Sequence, residues 1–518
     1  MAHRAQPLAA WPGIGAAACL AALILGTLAA VALRAEPGGG MAAADWAALR
    51  FTVFQATLSA LISVGLAVPV ARALARRRFP GRNTLIALLG VPFILPVIVA
   101  ILGLLEVFGR AGWISEIAGL FGLPPLQIYG LHGVVLAHVF LNLPLATRLI
   151  LQGWQEVPAE RFRLAAQLNL GPMAMFRLIE APMLRQVAPG ALAVVFTICL
   201  TSFAVALTLG GGPRATTIEL AIYQSFRFEF DLGRAAMLSG LQIILTSAAA
   251  LAALRLAKGT GFGAGLDRPV RRWDGRSPAA RAGDAAWIVF AAGFLMLPLS
   301  AILATGLPGV AGMPGAVLEA AAVSLAVAAG STVILLSAAV PMAAAVALGR
   351  HGLLELAGLL GLAASPLVIG TGLFILIRPL ADPTALALPV TALVNAVMSL
   401  PFALRILVPR AREVVGRYGR LGLSLGLAGG PFLRLVFLRR MRAQIGFAAG
   451  LAMALSMGDL GVITLFADAD IATLPLQIYR LMGAYRMEAA AGAALLLLVL
   501  SVGTFWALDR GGRWHVEA

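Results

Sequence analysis

The sequence predicts an all-α membrane protein of about 12 transmembrane helices, arranged as two parallel six-helix repeats. Three observations carry this reading. The first is composition: 518 residues are 60% hydrophobic and only 12% charged, with a mean hydropathy of +0.93. Soluble domains sit near 45–50% apolar and about 25% charged, so lipid has to solvate much of this surface. The second is a series of apolar runs of about 20 residues, the length that crosses a ~30 Å hydrocarbon core as a helix. They are Ala, Leu, Val and Gly runs without alternation, unlike the strands of a transmembrane barrel. The third is a charged and amphipathic stretch that occurs twice, described below.

Taken in order, the spans of the first repeat fall at 13–33, 51–71, 84–108, 130–151, 187–210 and 235–256. Those of the second fall at 285–306, 320–348, 353–377, 385–407, 443–466 and 489–508. The run after Arg4 is longer than the apolar core of a typical signal peptide and reads as a retained first span. Sorting the 39 basic residues among the loops places most of them on one side, with both termini. The clearest cluster is Arg72, Arg76, Arg77, Arg78 and Arg82 after the second span. By the positive-inside rule that side is the cytoplasm. The net charge of +16 is therefore loop anchoring, and nucleic acid is not an expected partner. Cys19 and Cys199 lie in apolar runs and suggest neither a disulfide framework nor a metal site.

Residues 257–284 are rich in Gly, Pro and Arg without apolar periodicity, and read as a cytoplasmic linker. The domain boundaries that follow are 1–256 for the first half, 257–284 for the linker and 285–518 for the second half.

The duplication is specific. At an offset of 257 residues Pro144 falls on Pro401, Arg148 on Arg405, Glu156 on Glu413, Arg163 on Arg420, Arg177 on Arg434 and Arg185 on Arg442. Leu164 matches Leu421 and Leu168 matches Leu425. At an offset of 256, "TIELAIYQ" at 217–224 echoes "TLPLQIYR" at 473–480. Repeats running in the same direction imply a pseudo-twofold axis along the membrane normal, with a pathway between the halves.

The duplicated element fills the loops 152–186 and 408–442. Leu164 and Leu168 lie at i and i+4, one face of a helix, while Arg161, Arg163 and Gln167 fall elsewhere on the wheel. Such a segment is too polar to span and too apolar on one stripe to float free. The expectation is a short cytoplasmic helix at about 160–171 and again at 417–428. Asn169 and Gly171 can end the first, because both residue types tolerate a left-handed backbone, and Gly426 takes the Asn169 position in the second. An interfacial helix that merely holds the bundle is the plainer reading. Two copies about a twofold axis favour docking sites for a symmetric cytoplasmic partner.

This element resembles the cytoplasmic "EAA" loop of binding-protein-dependent ABC importer permeases, whose pattern is Glu-Ala-Ala, three residues, Gly, nine residues, then Ile-x-Leu-Pro. Here Asn169 takes the Gly place, followed by Ile179, Ala181 and Pro182; in the second copy Gly426 is followed by Val436, Leu438 and Arg439. Arg163 and Arg420 stand where the pattern has Glu. "ARALARRRFPGR" (71–82), "LAHVFLNLPLATRLIL" (136–151), "LGGGPRATTIELAIYQ" (209–224) and "LSMGDLGVITLF" (455–466) together are similar to the fused permease of bacterial thiamine and thiamine pyrophosphate importers.

The resemblance implies a type I importer fold in the bacterial inner membrane, two cytoplasmic ABC ATPase subunits, and a periplasmic substrate-binding protein. It implies ATPase docking through Arg163, Leu164, Leu168, Asn169, Gly171, Arg420, Leu421, Leu425 and Gly426. It also implies alternating access, in which the docking helices ride in clefts on the ATPases. No cofactor is implied. The chain reads as a transport subunit rather than an enzyme: it has no Gly-x-x-x-x-Gly-Lys-Ser/Thr loop, and its one lysine, Lys258, precedes Gly259. Fused permeases also serve ferric iron and other small solutes, which keeps the substrate open. A secondary transporter of the major facilitator type shares twelve spans and a central linker, but lacks a reason for the two amphipathic insertions.

Polar groups in span-grade sequence are the pathway candidates, since charges there are costly. They are Asp459, Asn142, His138, its repeat mate Asn395, and Glu106 near an outer mouth. For Asp459 a bond to neighbouring backbone is the structural alternative, and for the amides and His138 it is a helix–helix hydrogen bond.

Overall fold

Apolar runs become helices because lipid leaves every backbone N–H and C=O to be satisfied within the segment. The computed structural model describes residues 6–513 except 36–40, 91, 93, 213–214, 257–276, 350–353, 355–356, 359, 362–364 and 468–469. No strand occurs among the described residues. The first repeat runs α1 (Trp11–Arg34), α2 (Ala43–Arg76), α3 (Arg82–Leu88), α4 (Val97–Phe108), α5 (Trp113–Leu120), α6 (Leu131–Glu156) and α7 (Ala159–Gln167). It continues through α8 (Pro172–Met175), α9 (Ala181–Leu200), α10 (Phe203–Leu209), α11 (Ile218–Arg227) and α12 (Leu232–Leu256). The second runs α13 (Pro278–Gly309), α14 (Gly315–Ala347), α15 (Pro366–Ile377), α16 (Ala387–Ser424) and α17 (Gly430–Phe432). It ends with α18 (Leu438–Met457), α19 (Gly461–Phe466), α20 (Leu474–Gly483) and α21 (Met487–Arg513).

Among the described residues, 11 helical stretches are long and apolar enough to cross a bilayer. The expected span at 353–377 is represented by α15, whose 12 residues cover only its later part, and some of its earlier part lies outside the described residues. Three expected spans are interrupted. The one at 84–108 divides into α3 and α4, with Pro96, which has no N–H to donate, at the start of α4. Those at 187–210 and 443–466 break at Thr201–Ser202 and Gly458–Leu460. The linker ends earlier than expected: residues 278–284 are helical, because Pro278 presets the first turn of α13 and Ser277 Oγ accepts from Ala280 N at 3.2 Å.

The two repeats exchange contacts through their first helices. α1 packs on α14 and α15 of the second repeat as well as on α12 of its own, and α13 packs on α2 and α4 of the first as well as on α21 of its own. The two crossings use glycine at matching places. A Cβ on Gly372 of α15 would stand 2.5 Å from the Thr27 carbonyl oxygen of α1, and one on Gly103 of α4 would stand 2.6 Å from that of Pro298 on α13. Absence of a side chain lets the backbones touch. An ion pair adds to one crossing: Asp284 at the start of α13 accepts from Arg76 at 2.7 Å and from Arg77 at 2.6 Å, both at the end of α2. Outward-facing Phe54, Leu61, Ile244, Val289 and Val333 are exposed, as a lipid-facing surface requires.

Candidate functional site

At one end of the bundle the duplicated element takes the same local form twice. α7 ends in a left-handed residue, Asn169 at φ 49°, and α16 ends the same way at Gly426, φ 71°. Leu170 N donates to Ala165 O at 3.0 Å, and Leu427 N donates to Gly422 O at 2.8 Å, the six-to-one closure of a helix C-terminus. A single π-turn follows in each, Phe176–Glu180 and Leu433–Phe437, leading into α9 and α18. π-turns inside helices are rare and concentrate at functional sites.

The inner faces hold the elements to the bundle. Phe162 and Ala165 are buried in the first, and Gly419 and Gly422 in the second. Gly422 lies so close to Phe432 that a Cβ would meet its ring at 2.6 Å. Near the second element Gly429 N donates to Pro7 O at 2.9 Å, which ties the N-terminal segment to it. The outer faces are bare. Leu164 and Leu421 are 56% and 54% exposed, Leu168 and Leu425 63% and 64%. Arg163, Asn169, Gly171, Arg420 and Gly426 are exposed beside them.

The copies differ in one respect. A separate helix was expected at both sites, but α16 runs unbroken for 38 residues from within the bundle to Ser424. In the first copy Pro158 interrupts the chain between α6 and α7; its counterpart, at the same offset, is Val415. Val415 keeps the N–H that proline lacks, so the second helix continues. The sequences have also diverged where the element meets the bundle. Buried Glu180 pairs with Arg72 at 2.8 Å, where the second copy has buried Phe437.

Deeper in the molecule the polar candidates gather at the two helix breaks. A break leaves carbonyls without their i+4 partners, and lipid supplies none. At the α18–α19 break Asn395 Nδ2 donates to Ser456 Oγ at 2.9 Å and to Ser456 O at 3.4 Å. Asp459 Oδ1 accepts from Gly461 N at 3.2 Å at the start of α19, the backbone role that was its structural alternative, while its Oδ2 has no partner. At the α9–α10 break Gln55 Nε2 donates to Cys199 O at 3.1 Å and Gln242 Nε2 to Leu200 O at 3.0 Å. Asn142 Nδ2 donates to His138 O at 2.9 Å and approaches Cys199 Sγ at 3.5 Å, and His138 Nδ1 shares a 3.3 Å bond with Ser59 Oγ. Glu106, half-buried near the end of α4, stands apart from both groups.

Sequence reasoning missed Gln55, Gln242 and Glu219, all fully buried. Glu219 Oε1 accepts from Gln242 Nε2 at 3.0 Å. A signal for it existed: in the echo of 217–224 at 473–480, the position of Glu219 is Pro475. Aromatic rings line the same region. Tyr223 meets Phe203 and Phe228 edge-on at 5.3 and 5.7 Å, and Phe226 meets Phe374 of the second repeat at 4.4 Å.

No family model matches the chain. Full-length relatives do. The thiamine transport system permease protein ThiP of Brucella abortus (strain 2308) is 40% identical over 519 residues, covering 97% of this chain and 95% of that protein. The proteins of the same name from Salmonella typhimurium and Escherichia coli K12 are each 39% identical over 528 residues, covering 98% of both chains.

Proposed function

The chain belongs to the family of thiamine transport system permeases, and from that membership we propose that it is the membrane-spanning subunit of an ATP-driven thiamine importer. It carries thiamine, and its phosphates, inward between the two repeats by alternating access. The chain itself performs no hydrolysis; two copies of a cytoplasmic ATPase do so, docked on α7 and on the end of α16. A periplasmic binding protein delivers the substrate to the opposite face. The membrane is the bacterial inner membrane, with the docking end and both termini in the cytoplasm, as the arginine cluster at 72–82 favours.

The observation that carries the docking reading is the paired exposure of Leu164 with Leu421 and of Leu168 with Leu425. Apolar side chains bared at equivalent places in two repeats suit a partner that itself comes as a pair. The nine candidate docking residues are these four leucines with Arg163, Asn169, Gly171, Arg420 and Gly426 beside them. The pathway candidates His138, Asn142, Asn395 and Asp459 lie at the helix breaks, where transporters place their substrate sites; Glu106 belongs to an outer vestibule. Uptake of labelled thiamine by cells lacking other thiamine carriers tests the function. Uptake is expected only with this chain, the ATPase and the binding protein together. Uptake that survives loss of the ATPase would sink the importer reading.

A further inference from the structure

Glu219 is buried at 0% exposure, and its Oε2 has no hydrogen-bond partner. Its depth follows from its neighbour. Gln242 stands ten residues past Leu232, the start of α12, and a helix rises 1.5 Å per residue, so Gln242 sits roughly 15 Å in, near the middle of a ~30 Å core. A carboxylate at that depth without a basic partner is expensive and marks function by default.

Its surroundings are rich in acceptors. Gln55 Oε1 and Gln242 Oε1 are also buried without partners, since both amides spend their N–H groups on carbonyls freed by the α9–α10 break. Unsatisfied acceptor oxygens with no basic partner among the described residues are an arrangement left open for positive charge. The site lies against both repeats: on the same helix α11, Phe226 meets Phe374 of α15 at 4.4 Å. Tyr223 lies one turn beyond Glu219 on α11, the i+4 position on the same face. The second repeat carries no equivalent acid, because Pro475 occupies the position. The second repeat's pathway acid, Asp459, stands elsewhere, at the α18–α19 break, with one oxygen held by Gly461 N.

The geometry assigns Glu219 as the carboxylate that recognises the positive charge of an aromatic cation in transit, with the ring of Tyr223, one turn along α11, beside it. In this conformation the acid is fully buried. Separation of the repeats opens the carboxylate to the pathway, and their closure covers it again. Coulomb attraction in a water-poor site and cation–π contact supply the affinity. This inference rests on the thiamine reading above and adds the residue that selects the substrate's charge.

The test compares labelled thiamine with its neutral deaza analogue, in which carbon replaces the quaternary nitrogen. Both are given to the complete importer in proteoliposomes, with the ATPase and binding protein present. Wild type is expected to prefer the cation. Glu219→Gln, which keeps the size and the contact with Gln242, is expected to reduce that preference by about tenfold, equal to ~1.4 kcal/mol. Glu219→Asp, which retains the charge, keeps the preference. An unchanged preference in Glu219→Gln overturns the inference, and so does slower uptake of both probes in equal proportion, which marks a structural acid. A wild-type importer that moves neither probe refutes the thiamine reading instead.

Discussion

Leu164 and Leu421 expose more than half of their surface in a region where their neighbours Phe162 and Gly419 are buried. Fully covering such a leucine contributes roughly 1.5–3 kcal/mol, so two of them anchor a partner without any charge. The double variant Leu164→Asp, Leu421→Asp is expected to reduce ATPase co-purification at least tenfold, the loss of roughly 1.4 kcal/mol or more, while the permease still inserts. Retention of the ATPase at wild-type yield would count against docking there. These leucines were legible in the sequence because a helix face is a matter of spacing, and a repeat shows the same spacing twice. Glu219 was not legible in that way, although it lies in the echoed stretch 217–224. A carboxylate in the outer segment between two spans looks like loop chemistry until folding carries α11 inward to meet Gln242.

At the level of helices, spacing specified where chain becomes helical but not where helices fail to continue. Pro158 made one break readable. The breaks at Thr201–Ser202 and Gly458–Leu460 contain no proline, and arise where the chain turns against neighbours. Gly458 illustrates this: a Cβ there would stand 3.1 Å from Pro96, on a different helix. The glycine crossings are equally invisible to periodicity. Gly372→Leu places side-chain atoms where the Thr27 carbonyl lies 2.5 Å away, and Gly103→Leu does the same against Pro298. Overpacking of this kind costs about 1–3 kcal/mol. Each variant is expected to melt earlier than wild type in detergent, by tryptophan fluorescence. Gly15→Leu, on the open side of α1 where a Cβ meets nothing within 4 Å, is the control and is expected to melt with wild type.

The two repeats are tied together by α1 and α13, each of which packs on both; composition and repeat offsets could not reveal this, because they locate spans and not their neighbours. Asp284 ties one crossing to Arg76 and Arg77, and Arg76 and Asp284 have side chains only 7% exposed. Removing one partner from a buried pair costs about 3–5 kcal/mol, so Asp284→Ala is expected to lower the melting midpoint more than either glycine variant. A midpoint equal to wild type would show that water already screens the pair. A chain divided within residues 257–276 is expected to give no folded product from either piece alone, yet a transport-competent pair when both are expressed together. Accumulation of a stable single half would oppose the exchanged arrangement.

The exchange also sets a schedule for synthesis. α1 leaves the ribosome first, but its partners are complete only at Ile377, some 340 residues later. At 5–20 residues per second the helix waits roughly 15–70 s for α14 and α15, with only α12 of its own repeat, complete at Leu256, to pack on before then. It is suited to the delay: α1 and α13 hold the two most apolar windows of all the described spans. A helix that must be patient has been written in the residues that lipid tolerates best.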